Sequence, residues 1–189
     1  MVLIGKNTLM YEYENKIKNT PLLTDPWDHL RLTNFLAPKT LRFFQLEHWA
    51  IDWDSIFDEE SSWSSIDEPK EELEYFASKD FAQLLFDKFG VPYTDFTVRQ
   101  SLKLDEERHT LQTPHQDKGE FIMTMQIFLQ DKNYDDGGTI LMSDGMTDSI
   151  ELPLQSNSCT IFLNNENSWH RVQQRGYRRE SFLQRWIQK

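Results

Sequence analysis

The feature that most constrains the fold is the second half of the chain, where short strand-like segments follow one another without intervening helices. From Tyr93 onward, runs rich in β-branched and aromatic residues alternate with turn sequences rich in Gly, Asp and Asn. The predicted strands are 95–104, 120–130, 139–143, 149–152, 158–163, 169–173 and 179–187. Seven short strands within a hundred residues predict an antiparallel sandwich or barrel.

The preceding half is predicted to be mostly helical. Apolar residues recur at three- and four-residue steps over 73–89, so we expect one helix there, closed by Gly90. An earlier helix is expected to begin near Asn34, with a break or a late start at Pro38, because proline cannot continue a helix that has already begun.

Length and composition limit the number of domains and the kinds of partner that this protein can have. The 189 residues suit one domain, in which residues 1–92 support a β core of residues 93–189. A formal net charge of -11 disfavours nucleic-acid and anionic-membrane partners. The single cysteine, Cys159, leaves no internal disulfide, and no stretch approaches the roughly 20 apolar residues of a membrane span. We expect a cytoplasmic monomer or homodimer.

An acidic segment runs from Asp52 to Glu74 and contains ten acidic residues and one basic residue. It also carries three aromatic residues, Trp53, Phe57 and Trp63. The favoured interpretation is a solvated loop that its aromatic side chains attach to the core. The alternative is a lid or recognition element for a cationic substrate.

Candidate metal ligands begin in the stretch TPHQDKGEF, which contains His115 and Asp117. In an extended strand, residues two apart point to the same face, so both side chains can reach one ion. With 31 acidic residues, one such pair is expected by chance about as often as not. His170, which opens a later predicted strand in SWHRVQQ, provides a third candidate ligand and makes a metal site the favoured interpretation. Two imidazoles and one carboxylate make a facial triad, which holds Fe(II) and leaves three positions for a 2-oxo acid and dioxygen.

A candidate anion-binding pair follows in GYRRESFLQRW, where alternation places Arg179 and Ser181 on one strand face. A guanidinium fork and a hydroxyl suit a carboxylate. The alternative is a basic edge strand without a binding role. Arg178 is the competing anchor, because it fits a Gly-x-Arg pattern.

From about Phe96 to Trp186 the chain resembles the catalytic core of the Fe(II)/2-oxoglutarate-dependent dioxygenases, particularly their prolyl-4-hydroxylase-like branch. The resemblance rests on the order and spacing of PHQD, FIMTMQIFLQD, DDGGTIL, NSCTIFLNNENSWHRV and RRESFLQRW. It implies a mainly β fold, with a double-stranded β-helix core (jelly-roll, cupin-like) and N-terminal helices packed on its outside.

Carried over to this sequence, the resemblance implies that His115, Asp117 and His170 hold Fe(II). It also makes Arg179 the anchor of the co-substrate 2-oxoglutarate, with Ser181 as a second partner. No catalytic residue beyond the metal ligands is expected.

The sequence departs from the family pattern on the strand that follows the His-x-Asp pair. Many members of the branch have a tyrosine there that helps to bind the co-substrate, whereas this strand offers Met125, Gln126 and Phe128. We therefore name Thr124 and Gln126 as candidates for the second polar contact to 2-oxoglutarate.

Three further residues are candidate substrate contacts. Arg99 points either into the core or to the surface, His109 lies on a loop before the motif, and Trp169 precedes the distal histidine. For His109 a solvated loop position is favoured, and for Trp169 a packing role. His29 and His48 have no metal-ligand spacing and are interpreted as structural.

The resemblance implies a hydroxylase whose partners are 2-oxoglutarate, dioxygen and a substrate. A peptide or protein residue is favoured as substrate, with proline among the candidates. A free amino acid or another small metabolite is the next candidate. A non-catalytic metal-binding jelly-roll module is the alternative from another class.

Overall fold

The computed structural model describes residues 4–56, 62–66, 71–106, 113–117, 119–172 and 175–189. The helices in these ranges are α1 (Ile4–Asn19), α2 (Pro38–Trp49), α3 (Glu71–Phe76) and α4 (Lys79–Phe89), with one short 3-10 turn at Asp144–Met146. The strands are β1 (His29–Leu32), β2 (Ser62–Ser65), β3 (Phe96–Asp105), β4 (Phe121–Phe128), β5 (Gly137–Met142), β6 (Ser149–Pro153), β7 (Cys159–Leu163), β8 (Trp169–Val172) and β9 (Arg179–Gln188).

The strands form two antiparallel sheets, as the density of short strands predicts. The larger sheet has the order β1-β7-β4-β9-β3-β2, and the smaller has the order β6-β5-β8. Chain neighbours β4 and β5 lie in different sheets, and so do β7 and β8. The chain therefore crosses repeatedly between the sheets, and the predicted jelly-roll core is confirmed.

The two faces of the larger sheet have different chemistry. Its outer face belongs to the main apolar core, which it shares with residues of α1, α2, α3 and α4, including Tyr13, Phe44, Phe76 and Phe86. The contributing strand residues alternate along each strand, such as Met123, Met125 and Ile127 on β4. The intervening residues face the smaller sheet and are largely polar, for example Thr124 and Gln126. The space between the sheets is thus available for a polar site.

The helices begin and end where local chemistry dictates. Helix α2 begins at Pro38, so the predicted late start is confirmed. The single helix predicted over 73–89 is wrong, because Ser78 adopts extended backbone and accepts a hydrogen bond from Phe81 N at 3.2 Å. Ser78 caps α4 and separates it from α3. Gly90 closes α4 in the left-handed conformation, with φ of 67°, as predicted.

Strands β3 to β9 match the seven predicted strands, with ends that differ by a few residues. Strands β1 and β2 and helix α1 are additions to the prediction. Each of the two added strands has only four residues and lies at an edge of the larger sheet. In the described ranges, no helix is long and apolar enough to cross a membrane.

Candidate metal centre

The two candidate histidine ligands are joined by their own backbones. His115 N donates to His170 O and His170 N donates to His115 O, each at 2.9 Å, which adds a single bridge beside β8. The two imidazole centroids lie 4.5 Å apart. Strand β8 is itself paired with β5, so the smaller sheet sets the position of both rings.

Hydrogen bonds to carbonyl groups determine which imidazole nitrogens are free. Nδ1 of His115 lies 2.9 Å from Thr113 O, and Nδ1 of His170 lies 2.9 Å from Ser168 O. Because a carbonyl oxygen can only accept, each Nδ1 carries the proton and each Nε2 keeps a lone pair. This is the arrangement in which a neutral histidine binds a metal ion.

Asp117 completes a cluster with these histidines. One ligand atom from each of the three residues lies within 4.8 Å of the others. The expected strand geometry for the His-x-Asp pair is wrong, since only His115 forms a bridge and Asp117 lies in irregular backbone before β4. A hydrogen bond orients the carboxylate instead: Thr124 Oγ1 donates to Asp117 Oδ2 at 3.0 Å. Asn164 Nδ2 donates in turn to Thr124 Oγ1 at 3.0 Å.

Electrostatics favour the protonation states that a metal requires. Burial lowers the pKa of His170 to about 4, so its imidazole is neutral at pH 7. Burial alone would raise the pKa of Asp117, but His170, Arg185 and the Thr124 hydroxyl outweigh it and lower the pKa below its usual value. Asp117 is therefore ionised at neutral pH.

The candidate anchor Arg179 lies deep between the sheets, with 1% of its side chain exposed. Its Nη1 donates to Asp105 Oδ2 at 2.9 Å, and Lys103 Nζ lies 3.1 Å from Asp105 Oδ1. Burial lowers the pKa of Lys103, and the adjacent Asp105 carboxylate opposes that effect. Two buried cations thus share one carboxylate. Arg178 faces the other way, is 54% exposed and pairs with Glu106 at 3.3 Å.

The remaining predicted co-substrate residues lie on the same inner face. Gln126 Oε1 accepts from Thr139 Oγ1 at 2.9 Å, and Gln126 Nε2 donates to Ser181 Oγ at 3.4 Å. Arg179 Nη2 reaches Thr139 Oγ1 at 3.5 Å. Ser181 and Gln126 are therefore linked to Arg179 through Thr139. Thr124 lies apart from this chain, on the Asp117 carboxylate.

A cavity of about 60 Å³ opens beside the cluster. It is lined by Trp63, Lys103, His115, Asp117, Thr124, Gln126, Thr139, Phe162, His170, Val172, Leu183 and Arg185. Its basic residues are Lys103 and Arg185, both absent from the sequence prediction, whereas Arg179 lies behind the wall. Arg185 shares the parity of Arg179 on β9, and that signal could have identified it.

The candidate substrate contacts are dispersed. Arg99 is exposed on β3, directly opposite Arg185 on β9. Trp169 neighbours His170 on β8, so it projects to the opposite face of the smaller sheet. His109 lies outside the described residues. His29 Nδ1 contacts Trp27 O at 2.9 Å and His48 Nε2 contacts Lys103 O at 3.2 Å, so both have structural roles.

Two aromatic residues of the acidic segment attach it to the rest of the molecule. Trp53 is buried and donates from Nε1 to His48 O at 3.0 Å. Trp63, on β2, lies 4.9 Å from both Lys103 Nζ and Arg185 Cζ, measured from its ring centroid. Phe57 lies outside the described residues. The segment thus contributes one wall of the cavity.

The fold and the clustered residues define the class: a double-stranded β-helix protein with a candidate metal centre of two histidines and one aspartate between its sheets. The sequence matches no family model and no curated protein. Solved structures do match, and they include prolyl-4-hydroxylases and other 2-oxoglutarate–Fe(II) oxygenases. The chain has the jelly-roll fold of these proteins.

Three of these structures illustrate the likeness. A prolyl-4-hydroxylase from Pseudomonas putida is 14% identical, with a TM-score of 0.64 over 95% of this chain and 99% of that one. A prolyl hydroxylase from Trichoplax adhaerens, in complex with a hypoxia inducible factor peptide fragment, is 12% identical, with a TM-score of 0.64 over 98% and 92%. The non-heme α-ketoglutarate-dependent epimerase SnoN from nogalamycin biosynthesis is 13% identical, with a TM-score of 0.61 over 96% and 83%.

Proposed function

We propose that this protein is an Fe(II)- and 2-oxoglutarate-dependent oxygenase that hydroxylates its substrate. The observation that carries the proposal is the convergence of His115, Asp117 and His170, whose ligand atoms lie within 4.8 Å of one another. The jelly-roll likeness to 2-oxoglutarate–Fe(II) oxygenases supports it.

The donor set fits Fe(II). Two imidazoles with free Nε2 atoms and one ionised carboxylate form a facial triad, which leaves open positions for other ligands. A closed structural zinc site takes four protein ligands, and the cluster has three members among the described residues. Cys159 is buried in the apolar core on the other face of β7, so it supplies no thiolate to this site.

The charges that line and back the cavity suit a dicarboxylate beside the metal. Lys103 and Arg179 both pair with the buried Asp105, and neither has another ion-pair partner among the described residues, so the inner face carries an excess of positive charge here. Arg179 Nε is also buried without a hydrogen-bond partner among the described residues. An uncompensated buried charge is costly, and a carboxylate at this position would neutralise it. Lys103 at the wall and Arg179 behind it would hold the distal carboxylate of 2-oxoglutarate.

The residues of the chain prepare the site for chemistry. Bound Fe(II) supplies the reaction with dioxygen that couples decarboxylation of 2-oxoglutarate to oxidation of a substrate C–H bond. Thr124 and Asn164 hold the Asp117 carboxylate, and the two Nδ1–carbonyl bonds hold the imidazole planes. Phe162, Val172 and Leu183 form an apolar wall that limits water in the cavity.

Two substrate classes have specific support. A peptide residue, with proline among the candidates, is supported by the likeness to prolyl hydroxylases, one of them in complex with a peptide fragment. A free amino acid or another small metabolite is supported by a second observation, the half-buried Arg185 in the cavity wall.

The test is anaerobic titration of the protein with Fe(II) and then with 2-oxoglutarate. We expect a visible charge-transfer band on addition of 2-oxoglutarate, and succinate release once oxygen is admitted. The band should be absent in His170→Ala and retained in Arg178→Gln, whose side chain points away from the cavity. A non-catalytic metal-binding module would give neither band nor succinate, and that result would refute the proposal.

A further inference from the structure

Arg185 is a cavity residue for which iron and 2-oxoglutarate provide no role. It projects from β9 on the same face as Arg179 and Leu183, and 19% of its side chain is exposed. Its guanidinium lies between two aromatic rings, 4.9 Å from the centroid of Trp63 and 5.0 Å from that of Phe121. Contacts with two rings fix the guanidinium and leave its N–H edge for a further ligand.

The charge of Arg185 has little compensation within the described residues. The one carboxylate near it is that of Asp117, with Arg185 Nε 3.8 Å from Oδ2, which is too long for a hydrogen bond. Asp117 is already assigned to the metal. Arg185 Nε is buried and has no hydrogen-bond partner among the described residues.

A second cation, Arg99, lies on the neighbouring strand β3 opposite Arg185. Arg99 is its direct partner in the β3–β9 register, and directly opposed like charges destabilise a sheet. Arg185 therefore lies beside a cavity and next to a like charge, and Asp117, its one ion-pair partner among the described residues, is also a candidate metal ligand. An anion that enters the cavity would relieve this arrangement.

We propose that the substrate carries a carboxylate that Arg185 binds, and hence that it is a small free carboxylic acid, such as a free amino acid, rather than an internal residue of a peptide. The proposal rests on the proposed function, because it places the substrate beside the metal. An internal peptide residue presents a neutral amide where a free acid presents a carboxylate. A guanidinium fork binds the carboxylate through two parallel charge-assisted hydrogen bonds, which the amide cannot match.

The proposal is tested with matched probe pairs on the anaerobic protein loaded with Fe(II) and 2-oxoglutarate. The probes are free L-amino acids and simple monocarboxylic acids, each compared with its carboxamide by calorimetric titration. N-acetyl-L-proline methylamide represents the peptide arm. We expect at least one acid to bind about tenfold more tightly than its amide, in line with a charge-assisted hydrogen bond.

Variants locate this preference at Arg185. We expect Arg185→Gln to abolish the preference and Arg185→Lys to reduce it, because lysine keeps the charge without the fork. Arg178→Gln, which changes an exposed arginine just before β9, is the matched control and should keep it. If no acid is preferred, if the preference survives Arg185→Gln, or if the blocked proline binds best, the proposal is overturned.

The charge-transfer band distinguishes a failure of the oxygenase function from a failure of the carboxylate proposal. If the unmodified protein shows no band, the oxygenase function itself fails. If the band forms and no acid is preferred, the function stands and the carboxylate proposal fails. If both Arg185→Gln and Arg185→Lys lose the band, Arg185 serves to hold Asp117 in place, and that result overturns the proposal as well.

Discussion

Each imidazole of the candidate metal centre is oriented by a single hydrogen bond from Nδ1 to a backbone carbonyl two residues earlier. That bond selects the tautomer and directs Nε2 towards the cavity. Among the described residues the Asp117 carboxylate has no backbone donor, and it accepts from the hydroxyl of Thr124 instead. At the scale of residues, the site thus consists of ligands and of the groups that orient them, and both can be tested.

Thr124→Val removes the hydroxyl that orients Asp117 and keeps the shape of the side chain. We expect Fe(II) affinity to fall by roughly 10- to 100-fold, the usual effect of losing a partner of a metal ligand. Competition with a chelator of known affinity measures the change. Thr97→Val, at an exposed position on β3, is the matched control. Equal Fe(II) affinity in the two variants would contradict the role given to Thr124.

Arg179→Gln removes a buried cation behind the cavity wall. We expect the concentration of 2-oxoglutarate required for half-saturation to rise by roughly 10- to 100-fold, because a charge-assisted hydrogen bond is worth about 1.5–3 kcal/mol. Fe(II) binding should persist, since Arg179 contacts Asp105 rather than the ligands. Titration of the charge-transfer band measures both. A larger effect of Arg178→Gln would show that the exposed arginine is the anchor.

At the scale of elements, the smaller sheet connects stability with the metal centre. Strand β5 pairs with β6 on one side and with β8, which carries His170, on the other. Gly138 is the residue that permits the close approach of β5 and β6: a Cβ atom there would overlap the carbonyl of Leu152. That neighbour is backbone and cannot move aside as a flexible side chain would.

Gly138→Ala should therefore destabilise the protein by about 3 kcal/mol, the upper part of the usual range for overpacking. Chemical unfolding at neutral pH measures the loss. Gly90→Ala is the comparison: its φ of 67° carries a penalty of about 1 kcal/mol, with no atom in the way of the added methyl group. Because β5 also positions β8, Fe(II) affinity should fall in Gly138→Ala and stay unchanged in Gly90→Ala.

At the scale of the whole molecule, a large apolar core joins the helices to the outer face of the larger sheet, while the site occupies the inner face. His48 links the two layers, since it belongs to α2 and donates from Nε2 to Lys103 O at 3.2 Å on β3. Its other nitrogen is buried without a partner among the described residues, apart from Glu180 at 3.9 Å. Burial lowers the pKa of His48 to about 4.

A depressed histidine pKa makes stability depend on pH in a defined direction. Between pH 6.5 and about 4 the unfolded chain binds a proton at His48 that the folded chain does not, so acidification favours unfolding. The loss attributable to this residue is about 3 kcal/mol and is complete near pH 4. Urea midpoints from pH 7 to 4 should therefore fall less steeply in His48→Gln than in the unmodified protein. Parallel profiles would show that His48 does not contribute.

Local sequence pattern was sufficient for much of the fold. Strands β3 to β9 follow from alternation and turn residues, because side-chain period and turn chemistry are properties of neighbouring residues. Strands β1 and β2 were not predicted, because four residues are too few to show a clear alternation of polar and apolar side chains. Pairing with β7 and β3, which are distant in sequence, stabilises them. The same limit applies to the acidic segment, whose Trp63 becomes a cavity wall only through that pairing.

The candidate metal residues and the inward face of Arg179 could be named from spacing and parity alone, since His115, Asp117, His170 and Arg179 carry distinctive chemistry. What surrounds them could not. The β3–β9 register places Asp105 opposite Arg179 and Arg99 opposite Arg185. These contacts join residues some eighty positions apart, and no local pattern encodes them. The tertiary structure alone decided which cations share a carboxylate, and that Arg185 faces the cavity without a hydrogen-bonded carboxylate among the described residues.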